Sequence, residues 1–241
     1  MIENYSLNTT SALVIGGSGG LGEALVRELR VRQTYRQVLS LSRRQQVTGP
    51  CLEYSDESSI REAAQWAQGQ CLEAPLSCVI VATGFLHGEG AAPERSWSEL
   101  NTKYLQQVML VNAIGPALTL KYFAPLLVRN IRTHWAMISA KVGSISDNGL
   151  GGWYGYRASK AALNQIVKTA SIEMTRRNRQ SICVALHPGT VATNLSQPFS
   201  KTGLNVRAPH VAAGDLLTVM ESLTEKDTGG FYDYQGVLLP W

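Results

Sequence analysis

The sequence predicts an α/β fold of the doubly wound kind, a parallel sheet with helices on both faces. Three observations predict it. Short apolar runs alternate with segments of helical periodicity from Ala12 to Leu223, the pattern of units that lay helices on a parallel sheet. A glycine-rich turn separates the first apolar run from the first helical segment. No internal repeat, low-complexity tract or linker breaks the alternation, so residues 1–241 read as one domain.

Ala12-Leu13-Val14-Ile15 is the first strand. Gly16-Gly17-Ser18-Gly19-Gly20-Leu21-Gly22 follows, and then a helix over 23–32 with Ala24, Leu25 and Leu29 inward. A strand, a glycine turn and a helix in this order suit a dinucleotide: the turn lets backbone N–H groups approach a pyrophosphate at the helix N-terminus. The second strand spans 37–42 and ends on Ser42-Arg43-Arg44. In a dinucleotide fold this strand end meets the adenosine ribose, where a carboxylate would favour NAD. A hydroxyl followed by guanidinium groups suits a 2′-phosphate instead, so NADP(H) is expected over NAD(H).

Cys51-Leu52-Glu53-Tyr54 reads as a short third strand, and 56–69 as a helix capped by Ser55 or Asp56. The continuous apolar run over 76–83 is a strand buried on both faces. Glu53 and Tyr54 after one strand, and Ala82, Thr83 and Gly84 after the next, complete the expected cofactor wall on its first half. Residues 85–96 form a glycine-rich substrate loop, and 97–129 a helical stretch in which Pro116 marks a kink or a junction. Within that stretch Asn112 is the polar member of Met109-Leu110-Val111-Asn112-Ala113-Ile114; buried there, its amide needs partners. The fifth strand is 134–139, with a Ser/Gly/Asn-rich loop over 140–150. A helix over 156–177 ends on a basic stretch that suits its C-terminal dipole. The sixth strand is 181–186, followed by His187-Pro188-Gly189-Thr190-Val191-Ala192-Thr193 as a turn. Residues 194–208, with Leu195, Phe199, Leu204 and Val206 among polar neighbours, are expected to form a substrate lid. A helix over 209–223 and a last strand over 229–234 close the chain.

Composition narrows the function. Twenty-two basic against 18 acidic residues give a net charge of +4 without a dense basic run, which argues against nucleic acid. The four cysteines form no C-x-x-C pair and share no zinc spacing with the four histidines, so no metal is expected and the thiols read as reduced. No apolar run reaches membrane-spanning length, and residues 1–11 lack the apolar core of a secretion signal. The expectation is a cytoplasmic protein acting on a small molecule.

Chemistry is carried by Tyr156 and Lys160, which one helical turn sets on the same face. A free phenol titrates near ~10, and an ammonium beside it favours the phenolate. The pair is suited to passing a proton to or from a carbonyl or alcohol oxygen.

Taken together, these motifs resemble the short-chain dehydrogenase/reductase family, whose Rossmann-type fold the chain would share over its whole length. Gly16, Gly20 and Gly22 match the cofactor-loop glycines. Val81-Ala82-Thr83-Gly84 stands where the family has Asn-Asn-Ala-Gly, keeping only the glycine. Asn112, Tyr156 and Lys160 match three members of the catalytic tetrad, and Pro188, Gly189, Val191 and Thr193 match the turn on the nicotinamide side. Gly151-Gly152-Trp153-Tyr154 and the Leu-Pro-Trp ending look most like the carbonyl-reductase-like and C-factor-like branch. For the fourth member the run is Ser139-Ala140-Lys141-Val142-Gly143. Counting back from Gly143 puts Ala140 at the acting position, and Ser139 is the nearest candidate serine.

The resemblance implies NADP(H)-dependent reduction of a ketone or aldehyde, or the reverse. In it Tyr156 is the acid, Lys160 tunes Tyr156 and bonds the nicotinamide ribose, Asn112 holds a water that leads to solvent, and Ser139 polarises the substrate oxygen. It also implies a homodimer or homotetramer. The alternative is a dinucleotide-binding regulator or C-factor-like signalling protein with little turnover.

Overall fold

The computed structural model describes residues 6–44, 49–88, 90–199 and 205–241. Its elements run β1 (Ser11–Ile15), α1 (Gly20–Arg32), β2 (Gln37–Leu41), α2 (Glu57–Gln70), β3 (Leu76–Val81), α3 (Thr102–Met109), α4 (Gly115–Phe123) and β4 (Thr133–Ile138). They continue with α5 (Tyr154–Arg177), β5 (Ser181–His187), β6 (Thr190–Val191), β7 (Val206–Arg207), α6 (Pro209–Ser222) and β8 (Phe231–Asp233).

Six strands form a sheet in the order β2-β1-β3-β4-β5-β8, and every neighbouring pair is parallel. The strands read as unbroken apolar runs because both faces are covered. Leu13 and Ile15 of β1 join Val79 and Val81 of β3 under residues of α2, α4 and α5 such as Ile60, Phe123 and Leu163. Ala12, Val14, Cys78 and Ile80 point the other way, against α1 and α6 through Leu25, Leu29, Leu216 and Met220. Alternate residues thus serve opposite layers, as the period of two in a strand requires. The chain winds outward on either side of the β1–β3 pair. A crevice therefore opens beyond the carboxyl ends of those two strands, where α/β sheets bind ligands.

Three expectations are corrected. Residues 51–54 are not a strand: a single bridge joins Ser42 to Cys51, with Leu52 N–H donating to Ser42 O at 2.9 Å. Tyr54 already enters the turn before α2, whose Asp56 cap accepts from Ser58 N–H, so there is no length left for a ladder. The helical stretch expected over 97–129 is shorter than that, and its junction falls just before Pro116. Asn101, missed as a cap, starts α3 by accepting from Tyr104 N–H at 3.1 Å, and a π-helical turn over Leu110–Ile114 joins α3 to α4. Pro116 explains the π turn. It has no N–H for the carbonyl of Asn112, four residues back, and the chain widens so that Gly115 N–H bonds Leu110 O instead. The stretch expected as a lid is not wholly irregular either, since β7 pairs with β6 through Thr190↔Val206 and Val191↔Arg207. Leu204 of that stretch lies outside the described residues, as do 200–203.

Candidate active site

Beyond Ile15 the chain turns sharply into α1. Gly16 takes φ +93°, and a Cβ there would stand 2.8 Å from Thr83 N, so only glycine lets this turn touch the end of β3. Gly16 and Gly17 donate to Leu41 O at 2.7 and 3.2 Å, which ties the turn to the end of β2. Gly19 is the N-cap of α1 and has no side chain to cap it, leaving first-turn N–H groups for an anion. Across the crevice Thr193 lies against Gly20, with its methyl carbon 2.9 Å from where a Cβ would be. The structure thus brings the 16–22 turn, Ala82–Gly84 and the 188–193 turn together around one crevice.

The remaining cofactor candidates sit at the β2 end. Ser42 is buried and donates to Arg44 O at 2.9 Å, while Arg43 and Arg44 are exposed. Glu53 holds the start of α2, with its N–H on Ser59 Oγ at 2.8 Å. Tyr54 is turned inward: its ring lies over Gly115 so closely that no side chain would fit there, and its hydroxyl meets Thr83 Oγ1 at 3.1 Å. The side chain of Tyr54 therefore supports the crevice from beneath and does not line it.

Asn112, fully buried in the π turn, ties three parts of the site. Its Oδ1 accepts from Phe85 N–H at 2.7 Å, and its Nδ2 donates to Phe85 O at 2.8 Å. Nδ2 also donates to Ser159 Oγ at 3.0 Å, and Ser159 donates to Tyr156 O at 2.8 Å. This supplies the bracing that the missing asparagines after β3 would otherwise give.

Tyr156 is in the first turn of α5. Its ring packs with Leu86, Tyr104 and Val108, and with Phe85, Ala140, Val142, Trp153, Leu195 and Phe199 around them. Burial pushes the phenol above its ordinary range. Lys160, one turn on and 3% exposed, donates to Ile138 O at 2.9 Å. Its Nζ is 5.9 Å from the Tyr156 ring centroid, and burial pulls it down to about 8. Desolvation thus favours the neutral form of both groups.

Ser139, the candidate serine, does not join the Tyr156 cluster, and Ala140 stands where the count back from Gly143 put the acting position. The Ser139 hydroxyl donates to Asn164 Oδ1 at 2.6 Å. Asn164 is eight residues along α5 from Tyr156, about 12 Å of helix. Ala140 packs in the Tyr156 cluster instead. Alternation along the chain leaving β4 is the cause: consecutive side chains face opposite ways, and the alanine has the inward position.

Several residues at the site were not singled out as candidates, although Trp153 stood in a motif that carries the family resemblance. His87 bonds Asn194 O at 2.9 Å and meets Phe199 edge-on at 5.4 Å. Trp153 is edge-on to both Tyr156 and Phe199, at 6.1 and 5.2 Å. Arg207 bonds Pro188 O at 3.2 Å, pairs with Asp215, and lies 3.8 Å over the Tyr234 ring. It holds the 188–193 turn from behind.

The sequence matches the short chain dehydrogenase family over residues 10–203. The chain belongs to that family. It is 34% identical over 137 residues to C-signal of Myxococcus xanthus, spanning 57% of this chain and 78% of that one. Among solved structures it is similar to an NADPH-bound carbonyl reductase from chicken fatty liver, with 25% identity and a TM-score of 0.83 over 96% of this chain and 99% of the other. The carbonyl reductase Sniffer of D. melanogaster superposes equally well, with a TM-score of 0.83, 23% identity and the same coverage. This family of oxidoreductases binds nicotinamide dinucleotides, and its fold is the one described above. Among the described residues no helix is long and apolar enough to cross a membrane.

Proposed function

We propose that this protein is a cytoplasmic carbonyl reductase that uses NADP(H) to convert a ketone or aldehyde to its alcohol, or runs the reverse. The observation that carries the reading is the buried Tyr156–Lys160 pair beneath a cluster of apolar and aromatic side chains. The crevice fits a dinucleotide. At Gly16 and Gly20 a Cβ would fill the cradle, and the first turn of α1 is uncapped by any side chain. The N–H groups of Ser18, Gly20 and Leu21 would hold the pyrophosphate, with Gly19 N–H bracing the turn on Gly16 O; Ser42 and Arg43 would hold the 2′-phosphate with Arg44 beside them, and Thr193 the nicotinamide end. When bound, the nicotinamide supplies the hydride.

This chain supplies orientation and a proton. Burial keeps the Tyr156 phenol protonated, which is the state that reduction of a carbonyl needs in its acid. Lys160, anchored on Ile138 O, stands by to stabilise the phenolate that remains. Asn112 offers its main-chain carbonyl, which proline at 116 cannot serve, to a water that returns the proton by way of Lys160. Ser139 keeps its bond to Asn164, so Tyr156 alone polarises the substrate oxygen. The loop over 85–96 and the stretch 194–208 shape the pocket of this single domain. The family likeness supports a homodimer or homotetramer.

A second reading has its own observation. Ala140 in the serine's place, together with the likeness to C-signal, favours a dinucleotide-binding regulator with little turnover. One experiment separates the two. Wild type and Tyr156→Phe are titrated with NADPH and NADH by fluorescence and then assayed on a carbonyl panel. The reductase reading expects NADPH to bind the more tightly and Tyr156→Phe to keep that affinity while losing turnover by about 100-fold or more. Unchanged turnover in Tyr156→Phe would remove the tyrosine from the mechanism. Tight NADPH binding without wild-type turnover would leave the regulator.

A further inference from the structure

The helix that presents Tyr156 has no cap of its own making. Gly151, Gly152 and Trp153 take φ of +65°, +64° and +54° in succession, and Trp153, at the N-cap of α5, gives the first turn no side-chain bond. First-turn N–H groups have no acceptor within their own helix. Here the acceptor comes from far upstream. Glu94 sets Oε1 and Oε2 at 3.3 and 3.1 Å from Gly155 N, and its main-chain carbonyl accepts from Trp153 N–H at 2.5 Å.

Glu94 is 2% exposed, and no Lys or Arg pairs with its carboxyl group among the described residues. A buried carboxylate without a cation needs hydrogen bonds and favourable dipoles. The N-terminal end of a 24-residue helix supplies both. Its charge is felt nearby, since Glu94 helps, after burial, to push the Tyr104 phenol up. The fit is also steric: a Cβ at Gly155 would stand 3.0 Å from the Tyr104 ring and 3.1 Å from Glu94 Oε1.

We propose that Glu94 is a positioning residue for Tyr156, a cap supplied by the substrate loop that fixes the first turn of α5. The proposal rests on the reading of Tyr156 as the general acid. The loop is pinned at its start by Asn112, through both main-chain groups of Phe85. It is pinned next by Tyr104, whose hydroxyl donates to Leu86 O at 2.9 Å, and at its end by the Glu94 cap. All three anchors lead to the Tyr156 turn: Asn112 through Ser159 to Tyr156 O, Tyr104 within the Tyr156 cluster, and Glu94 at Gly155. The loop and the proton donor therefore move as one body, and a loop displaced by substrate would carry the phenol with it.

Glu94→Ala and Glu94→Gln test this. The glutamine oxygen still accepts from Gly155 N–H without the charge, and the alanine removes the cap. Alanine should lower kcat by about tenfold or more, because small misplacements of a reacting group are costly, while the Kd for NADPH stays within about twofold. Glutamine should recover most of the loss. Hydrogen exchange at the amides of Gly155, Tyr156 and Arg157 should quicken in the alanine variant, with β3 and β4 unchanged.

A kcat in Glu94→Ala within twofold of wild type, or NADPH affinity falling in step with kcat, would overturn the proposal. If wild type shows no Tyr156-dependent turnover, the failure belongs to the proposed activity. Exchange then decides the cap alone: faster exchange at Gly155 upholds it, and unchanged exchange overturns it.

Discussion

Replacing Asn112 with alanine removes three hydrogen bonds made by a fully buried side chain to its half-buried and buried neighbours. Phe85 N–H and Phe85 O lose partners at 2.7 and 2.8 Å, and Ser159 Oγ loses a donor at 3.0 Å. Each bond is worth about 1 kcal/mol net, and a buried main-chain group left without a partner costs about 1–3 kcal/mol. Ser159 still donates to Tyr156 O, so its share is small. The two Phe85 groups dominate, and the sum is about 3–4 kcal/mol. A typical domain has about 5–15 kcal/mol in total, so the variant should fold but be markedly weakened.

With a urea slope of about 3 kcal/mol per molar, the unfolding midpoint should fall by about 1 M. Ser159→Ala alone should cost about 1 kcal/mol. The double variant should cost less than the two single losses together by about 0.5–1 kcal/mol, because they share a bond. Urea unfolding followed by tryptophan fluorescence reads all three. A midpoint shift below about 0.3 M in Asn112→Ala would refute the reasoning, since it would mean that the loop after β3 does not depend on the π turn.

Two more outcomes are expected. Ala140→Ser places a hydroxyl in the Tyr156 cluster, where a second donor to the substrate oxygen is missing, and should raise kcat by about tenfold; a steady-state assay that finds no gain would show that Tyr156 suffices. Lys160 gives stability a pH dependence with a definite sign. Below pH 8 folded and unfolded chains both hold its proton, and the folded state bears the full cost of a buried charge. As pH rises from about 8 towards 10.5 the folded lysine loses its proton before the unfolded one does, so stability rises, by about 3 kcal/mol at most over the window. The raised phenol of Tyr156 opposes this only above its ordinary value of 10. Denaturation midpoints at pH 7.5 and 9.5 should therefore rise more in wild type than in Lys160→Met. Equal slopes would remove Lys160 as the cause.

Much of the frame was legible because it rests on local rules. Alternate residues of β1 and β3 serve two layers, so both strands show as unbroken apolar runs, and the glycine turn could lie only where backbone meets backbone. Tyr156 and Lys160 were legible because a helix converts their spacing directly into geometry. Partnerships across the chain were not. Ser139 and Ala140 are neighbours, and only the direction in which the chain leaves β4 decides which one faces Tyr156. The failed strand at 51–54 has alternating inward residues, Leu52 and Tyr54, but the start of α2 ends it before a ladder can form. Glu94 sits in a polar loop among ordinary surface residue types, and only the fold brings it to α5. The break at Leu110–Ile114 could be suspected from Pro116, but its use, presenting Asn112 to Phe85, is a property of the assembled layers.

The small β6–β7 ladder has a consequence for variation. Its bonds are main-chain bonds, and Arg207 clamps its base to the Pro188 carbonyl. The two roots of the intervening stretch are therefore fixed by groups that do not depend on what lies between them. Closing a longer or shorter excursion between fixed posts changes the chain entropy slowly, by about 0.6 kcal/mol per doubling of length. Sequences exchanged between those posts would leave both roots in place, while the contacts that Leu195 and Phe199 make with the Tyr156 cluster would change with them.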